Sequence, residues 1–255
     1  MIDSHTHLFL CEQPDTELVE TARVAGVTRM LNVGLGDEFN EQAIAAAQAH
    51  DGVFATVGCH PTSAEGFDED AADRIRRLAA HDKVRAIGET GLDYYRETAS
   101  PASQREAFEA QIAIGRELGL PIVIHARDPE GESRAIDEIF ATLDAQASGH
   151  AVVLHCFSAP DRVADAVERG WYCSFAGNVT YPKSDDLRAA AAQLPDGLIL
   201  VETDAPYLTP QEMRADRNQP ANVVSTARVV AEARGVSYEE LEQTVEANAR
   251  SVFGW

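Results

Sequence analysis

A (β/α)8 barrel, in the α/β class, is the fold this sequence predicts, and three observations predict it. Eight short apolar runs, each of strand length, alternate with helical stretches along the chain. Most of these runs are near-continuously apolar, as expected of parallel strands covered on both faces. The length of 255 residues suits eight such units, and the whole span 1–255 reads as one domain. A doubly wound open sheet is the structural alternative. It would usually carry a Gly-rich phosphate turn after its first strand, where this chain has His5-Thr6-His7.

The elements follow in order. Met1 to Thr6 reads as the first strand, and Asp15 to Ala25 as an amphipathic helix stopped by Gly26. Thr28 to Val33 is the second strand and Asp37 to His50 an alanine-rich helix. Val53 to Gly58 is the third strand, running into Cys59-His60-Pro61, and Glu69 to Ala80 the next helix. Val84 to Gly88 is the fourth strand, ending at Glu89, and Gln104 to Leu118 a helix closed by Gly119. Pro121 to Ile124 leads to His125, and Ala151 to Leu154 leads to His155, with a helix from Ser133 to Ala145 between them. Pro160 to Arg169 is helix, Trp171 to Phe175 strand and Asp185 to Gln193 helix. Leu198 to Val201 is the eighth strand, leading to Glu202-Thr203-Asp204; helices at Val223 to Ala233 and Tyr238 to Ser251 complete the chain. Gly and Pro punctuate most joints.

Composition narrows the function classes. No stretch approaches the roughly 18 uninterrupted apolar residues of a membrane span, and the N-terminus enters a strand without a leader-like basic and apolar segment. The expectation is a cytoplasmic protein with no membrane partner. Cys11, Cys59, Cys156 and Cys173 are irregularly spaced, form no C-x-x-C pair and read as reduced thiols. The oligomeric state is left open, a monomer being sufficient. There are 42 acidic against 21 basic residues, a net charge of −21, and only Lys83 and Lys183 are lysines. Such a surface opposes broad nonspecific grip on duplex DNA, which works by displacing counterions with Lys and Arg. It fits either an arginine-for-lysine bias or a salty cytoplasm that screens the repulsion.

The chemistry lies at the strand ends. His5 and His7 share one face of an extended segment, a ready chelate for a metal. The C-terminal strand ends, which form the active face of a barrel, also present His60, Glu89, His125, His155 and Asp204. His50 and His81 close helices and are assigned to structure, and His150 lies just before the sixth strand. Cys59 and Cys156 beside these positions read as small buried residues rather than ligands. These nitrogen and oxygen candidates exceed what one tetrahedral ion needs; they suit two divalent ions bridged by a carboxylate, the arrangement that clamps both oxygens of a hydrolysed bond.

Six blocks carry a family resemblance. Asp3-Ser4-His5-Thr6-His7-Leu8, Gly58-Cys59-His60-Pro61, Ile87 through Tyr95, Leu120 through Arg127, His155-Cys156-Phe157-Ser158 and Glu202 through Leu208 occur in order over almost the whole chain. Together they resemble the TatD family of metal-dependent hydrolases, (β/α)8 barrels of the amidohydrolase-like group, several of them divalent-metal-dependent deoxyribonucleases. The resemblance implies His5 and His7 on one ion, Glu89 as bridge, His125 and His155 on the second, and Asp204 as a ligand that also handles the proton of the attacking water. The ions would be Mg, Mn or Zn. It further implies that His60 and Arg127 meet substrate phosphate, and that the partner is a nucleic acid, DNA by preference, single-stranded or at 3′ ends. The Arg127 fork suits phosphate oxygens, with an ion pair to Asp128 or Glu130 as the alternative. Asp93-Tyr94-Tyr95 could lay a ring beside a base, or form a core pair.

Departures from the family pattern fall in loops: Ala159 for a glycine, Asp128-Pro129-Glu130-Gly131 after Arg127, and Arg214 to Pro220 around Asn218. Two rival functions remain at this level. One is hydrolysis of a small ester or amide on the same barrel; the other, from a different class, is a metal-binding scaffold without catalysis.

Overall fold

The computed structural model describes residues 1–96 and 98–255. Eight strands are laid down in chain order: β1 (Ile2–Thr6), β2 (Arg29–Val33), β3 (Val53–Val57), β4 (Val84–Asp93), β5 (Ile122–Arg127), β6 (Val152–Leu154), β7 (Tyr172–Phe175) and β8 (Ile199–Val201). The helices are α1 (Asp15–Val24), α2 (Asp37–Ala49), α3 (Glu69–Ala79), α4 (Pro101–Leu118), α5 (Arg134–Gln146), α6 (Val163–Arg169), α7 (Asp185–Gln193), α8 (Val223–Arg234) and α9 (Tyr238–Phe253). The sheet order is β1 through β8, and every neighbouring pair is parallel.

Closure of the barrel between β8 and β1 depends on side chains more than on a ladder. A single parallel bridge joins Thr6 to Ala205. Around it, the buried Asp3 carboxylate accepts Thr203 N–H at 2.9 Å and Thr203 Oγ1 at 2.6 Å, while Ser4 Oγ donates to Val201 O at 3.0 Å. Burial pushes the Asp3 acid well above the usual carboxylate range, although the Thr203 and His5 bonds pull the other way.

Helix boundaries follow local chemistry. Asp68 caps α3 by accepting Ala71 N–H, and α3 buries Ala72, Ile75 and Ala79 on one stripe while Asp73 and Arg77 face outward. Ser100 caps α4 with Pro101 in its first turn, so this helix begins three residues earlier than the expected Gln104. Ser237 and Glu240 form a reciprocal capping box on α9. The expected Pro160–Arg169 helix divides into a 3-10 turn at Pro160–Arg162 and α6.

The fourth strand departs most from expectation. It was expected to end at Gly88, but β4 runs to Asp93, with Glu89 inside it. Between the pairs Ile87↔Ile122 and Thr90↔Ile124 the register slips by one residue, a bulge at the position that carries Glu89. Glycine makes this crowding possible: a Cβ on Gly91, whose φ is +140°, would lie 2.0 Å from His125 O. β5 likewise continues past Ile124 to Arg127, which places both His125 and Arg127 on strand backbone.

Candidate metal centre

The strand ends converge. His5 is buried on β1 and His7 follows it immediately; Glu89 comes from the β4 bulge and His125 from β5. His155 follows β6, His60 follows β3, and Asp204 lies three residues beyond β8. Asp204 adopts a left-handed backbone, φ +53°, which Asp tolerates better than most residues.

Glu89 is the hub, and its two oxygens face different partners. Oε2 lies 3.3 Å from His5 Nε2 and 3.7 Å from His7 Nε2. Oε1 lies 2.6 Å from His125 Nδ1, 3.0 Å from His155 Nε2 and 3.6 Å from His60 Nε2. Asp204 Oδ1 belongs to the first group, 3.5 Å from His7 Nε2 and 3.9 Å from His5 Nε2. The structure therefore brings together all eight positions singled out in the sequence, with Arg127 at the rim of the same cleft.

The donor set fits a cation. His5 Nε2 and His7 Nε2 face each other at 3.2 Å, and His60 Nε2 and His125 Nδ1 at 3.4 Å. A neutral imidazole has one donor and one acceptor, so inward-facing nitrogens crowded around carboxylates leave lone pairs aimed at a common space. Three of the far nitrogens are held, His7 Nδ1 by Val33 O at 2.7 Å, His125 Nε2 by Asp93 at 3.2 Å and His155 Nδ1 by Glu202 at 3.1 Å, while His5 Nδ1 is buried without a partner. Such outer partners fix the ring orientation of metal-binding histidines.

Protonation directions show what a cation would replace. Burial disfavours protonated His155, yet Glu89 and Glu202 beside it hold its pKa well above the ordinary value; His125 and His7 are raised in the same way by carboxylate partners that outweigh burial. His5 is lowered by burial and by His155, and burial with the neighbouring His125 pushes His60 down to about 3. Glu89 is held well below the carboxylate range because the imidazoles outweigh burial. Raised imidazoles carry protons above the usual pH of about 6.5, and a ring must lose that proton before it can ligate. Divalent-metal uptake should therefore release protons, with affinity falling as pH drops from 8 to 6. Calorimetry in buffers of different ionisation enthalpy measures the release; a buffer-independent enthalpy would show that the rings are already bare.

Two carboxylates gained a place that the sequence reading did not give them. Asp93 was read only as part of an aromatic run, and Glu202 only as a lead-in to Asp204. Glu202 also accepts Cys156 N–H at 2.9 Å and a short bond from Ser174. Its spacing, two residues before Asp204 at a strand end, was the available signal. Arg127 makes neither expected ion pair: its guanidinium lies 4.2 Å over the Tyr95 ring, and Asp128 instead accepts Ala135 and Ile136 N–H at the start of α5. Tyr94 and Tyr95 split their duties, Tyr94 donating to Glu138 at 2.6 Å and Tyr95 standing exposed. His150 donates to Leu120 O at 2.8 Å and His81 pairs with Gln48, so both are structural as expected of His81.

The cleft above the centre has a volume of about 760 Å³. Among solved structures, the chain superposes on the TatD homologue YjjV of Escherichia coli K12 with a TM-score of 0.91, over 100% of this chain and 98% of that one, at 24% identity. It is 34% identical over 257 residues to the uncharacterized metal-dependent hydrolase YabD of Bacillus subtilis strain 168, covering 99% of this chain and 98% of the relative. It is 38% identical over 244 residues to a Dickeya dadantii protein named 3′-5′ ssDNA/RNA exonuclease TatD, covering 93% and 90%. The sequence model of the TatD related DNase family matches residues 2–254. With the barrel, the strand-end imidazoles and this match in hand, the chain belongs to the TatD related DNase family.

Proposed function

We propose that this barrel, a single domain over residues 1–255, is a two-metal phosphodiesterase of the cytoplasm that shortens single-stranded nucleic acid, DNA foremost, from its 3′ end. The observation that carries the reading is the division of Glu89, with Oε2 toward His5 and His7 and Oε1 toward His125 and His155. One carboxylate serving two groups of nitrogen ligands supports two ions, of the Mg, Mn or Zn kind. The names of relatives such as the D. dadantii exonuclease support the polarity and the substrate class. Four cysteines without a disulfide accord with a reducing compartment.

In this reading His5, His7 and Asp204 would hold one ion, His125 and His155 the other, and Glu89 both. Bound there, the ions would activate water and polarise the scissile phosphoryl group. The chain's own residues supply the rest. Asp204 is half-buried, and the His7 bond and nearby imidazoles outweigh desolvation and keep it ionised, so its carboxylate is ready to take a proton from the attacking water. His60, with Nδ1 held at 2.6 Å by Thr62 Oγ1, presents Nε2 to the cleft, and Arg127 on its Tyr95 shelf offers two parallel donors to phosphate oxygens. Asp93 and Glu202 keep His125 and His155 turned toward Glu89.

The test is metal analysis of the purified protein followed by two substrates, a short 3′-extended single strand and a simple aryl ester. Stepwise loss of single nucleotides from the 3′ end is the expected product pattern. Cleavage of the ester alone, with oligonucleotides left intact, would defeat the nuclease reading.

A further inference from the structure

The chain has nine Phe, six Tyr and two Trp, and among the described residues only Phe39, Tyr95 and Tyr207 are exposed. Two of them, Phe39 and Tyr207, line one cleft, and the third, Tyr95, backs Arg127, which also lines it. A surface that otherwise keeps its rings covered thus gathers its bare ones around the candidate centre. That arrangement suits a ligand with flat apolar faces.

The walls of the cleft differ in chemistry. On the β1, β2 and β8 side, Phe39 stacks on Phe9 with centroids 4.9 Å apart and planes 17° apart, which stiffens it from behind. Phe9 meets His7 edge-on at 5.8 Å, and Tyr207 meets His7 at 6.4 Å, so an aromatic row runs from Phe39 to Tyr207 past a candidate ligand. Leu10 and Leu35 fill in beside it. On the β4 and β5 side stand Arg96 and Arg127. A nucleotide with its phosphodiester at Glu89 can place phosphate against the guanidinium wall and its base against the aromatic wall.

We infer that Phe39 and Tyr207 form a nucleobase-stacking subsite that selects strands with unpaired bases, a refinement that rests on the nuclease reading above. A base in a duplex has both faces covered by its neighbours, whereas an unpaired base can exchange a neighbour for the Phe39 ring. Because every base has such a face, the subsite takes all four with little sequence preference.

The experiment compares a short single strand with versions carrying an abasic residue at either of the two 3′-terminal positions, using full-length metal-loaded protein. The wild type should process the intact strand faster than one of the abasic strands, by roughly fivefold to a hundredfold, the range that alanine substitution reveals for one stacked base. That ratio should fall to near one in Phe39→Ala and in Phe39→Leu, which keeps apolar bulk without a π-face, and should survive in Phe39→Trp. A wild-type ratio near one, or Phe39→Leu behaving like Phe39→Trp, would overturn the subsite and leave the nuclease reading intact. Should the wild type cut none of the strands, the nuclease reading fails, and fluorescence anisotropy with the same labelled strands decides the subsite. A preference for the intact strand that Phe39→Ala removes upholds it; equal affinities overturn it.

Discussion

Glu89→Gln should lower metal content from the proposed two ions per chain to one or fewer and reduce turnover by more than about 10²-fold. That lower bound follows from comparison, since even the outer partners of metal ligands are worth roughly 10- to 100-fold. Here the substitution strikes the hub. A carboxylate offers two equivalent anionic oxygens, one for each imidazole group. An amide offers one neutral oxygen, and its NH2 would point donors at either the His5–His7 group or the His125–His155 group. Whichever way it turns, one group loses its anion. Shape is preserved, so circular dichroism should match the wild type, and loss of metal cannot be put down to unfolding. Elemental analysis reads the occupancy. Two ions per chain with normal turnover in the folded variant would sink the bridging role.

The sequence pattern made most of the barrel legible because parallel buried strands announce themselves as apolar runs, and all eight were found. What escaped was where β4 and β5 stop. Strand four was expected to end at Gly88, ahead of Glu89, Thr90 and Gly91. The same residues serve instead as a bulged strand pressed against its neighbour, where Gly91 has no room for a side chain beside His125 O. Local propensity cannot report that, since the constraint comes from the adjacent strand. Closure is similar. That Asp3 joins β1 to Thr203 across a separation of 200 residues could not be seen in a five-residue window.

The clustering of the candidate site was legible for a different reason. His5, His7, Glu89, His125, His155 and Asp204 each follow or end an apolar run, and a barrel sends all such ends to one mouth, so topology alone makes them neighbours. Outer residues lack that signature. Asp93 sits inside a run of Gly, Leu and Tyr, and its partner His125 is 32 positions away. His60 was placed toward substrate, and it does line the cleft, but its Nε2 also stands among the nitrogens around Glu89 Oε1. Depth within the mouth, which separates ligand from substrate contact, is not a property of sequence spacing.

Asp204→Asn should fold, retain bound metal and lose about 10²–10⁴-fold in turnover, the usual worth of a positioned acid–base group. A competing role for Asp204 would be to hold its own turn. The structure gives that work to others: Asp204 N–H donates to His5 O at 2.9 Å, Tyr207 N–H donates to Asp204 O at 2.8 Å, and Asn218 Nδ2 donates to Thr203 O at 2.8 Å. The first two bonds use backbone atoms of residue 204, which asparagine keeps, and the third does not touch it; asparagine also accepts the left-handed φ of +53°. The carboxylate itself faces His7 and His5. Substitution thus removes the carboxylate proposed to take the proton while His5, His7, Glu89, His125 and His155 remain to hold metal. The informative measurement is the ratio of lost turnover to lost metal, read on the same preparation by nucleotide release and elemental analysis. Turnover falling in proportion to metal would make Asp204 a ligand only. Unchanged turnover with full metal would return it to the turn. A large loss of turnover with at least one ion retained is the result expected of a carboxylate that accepts the proton of the attacking water.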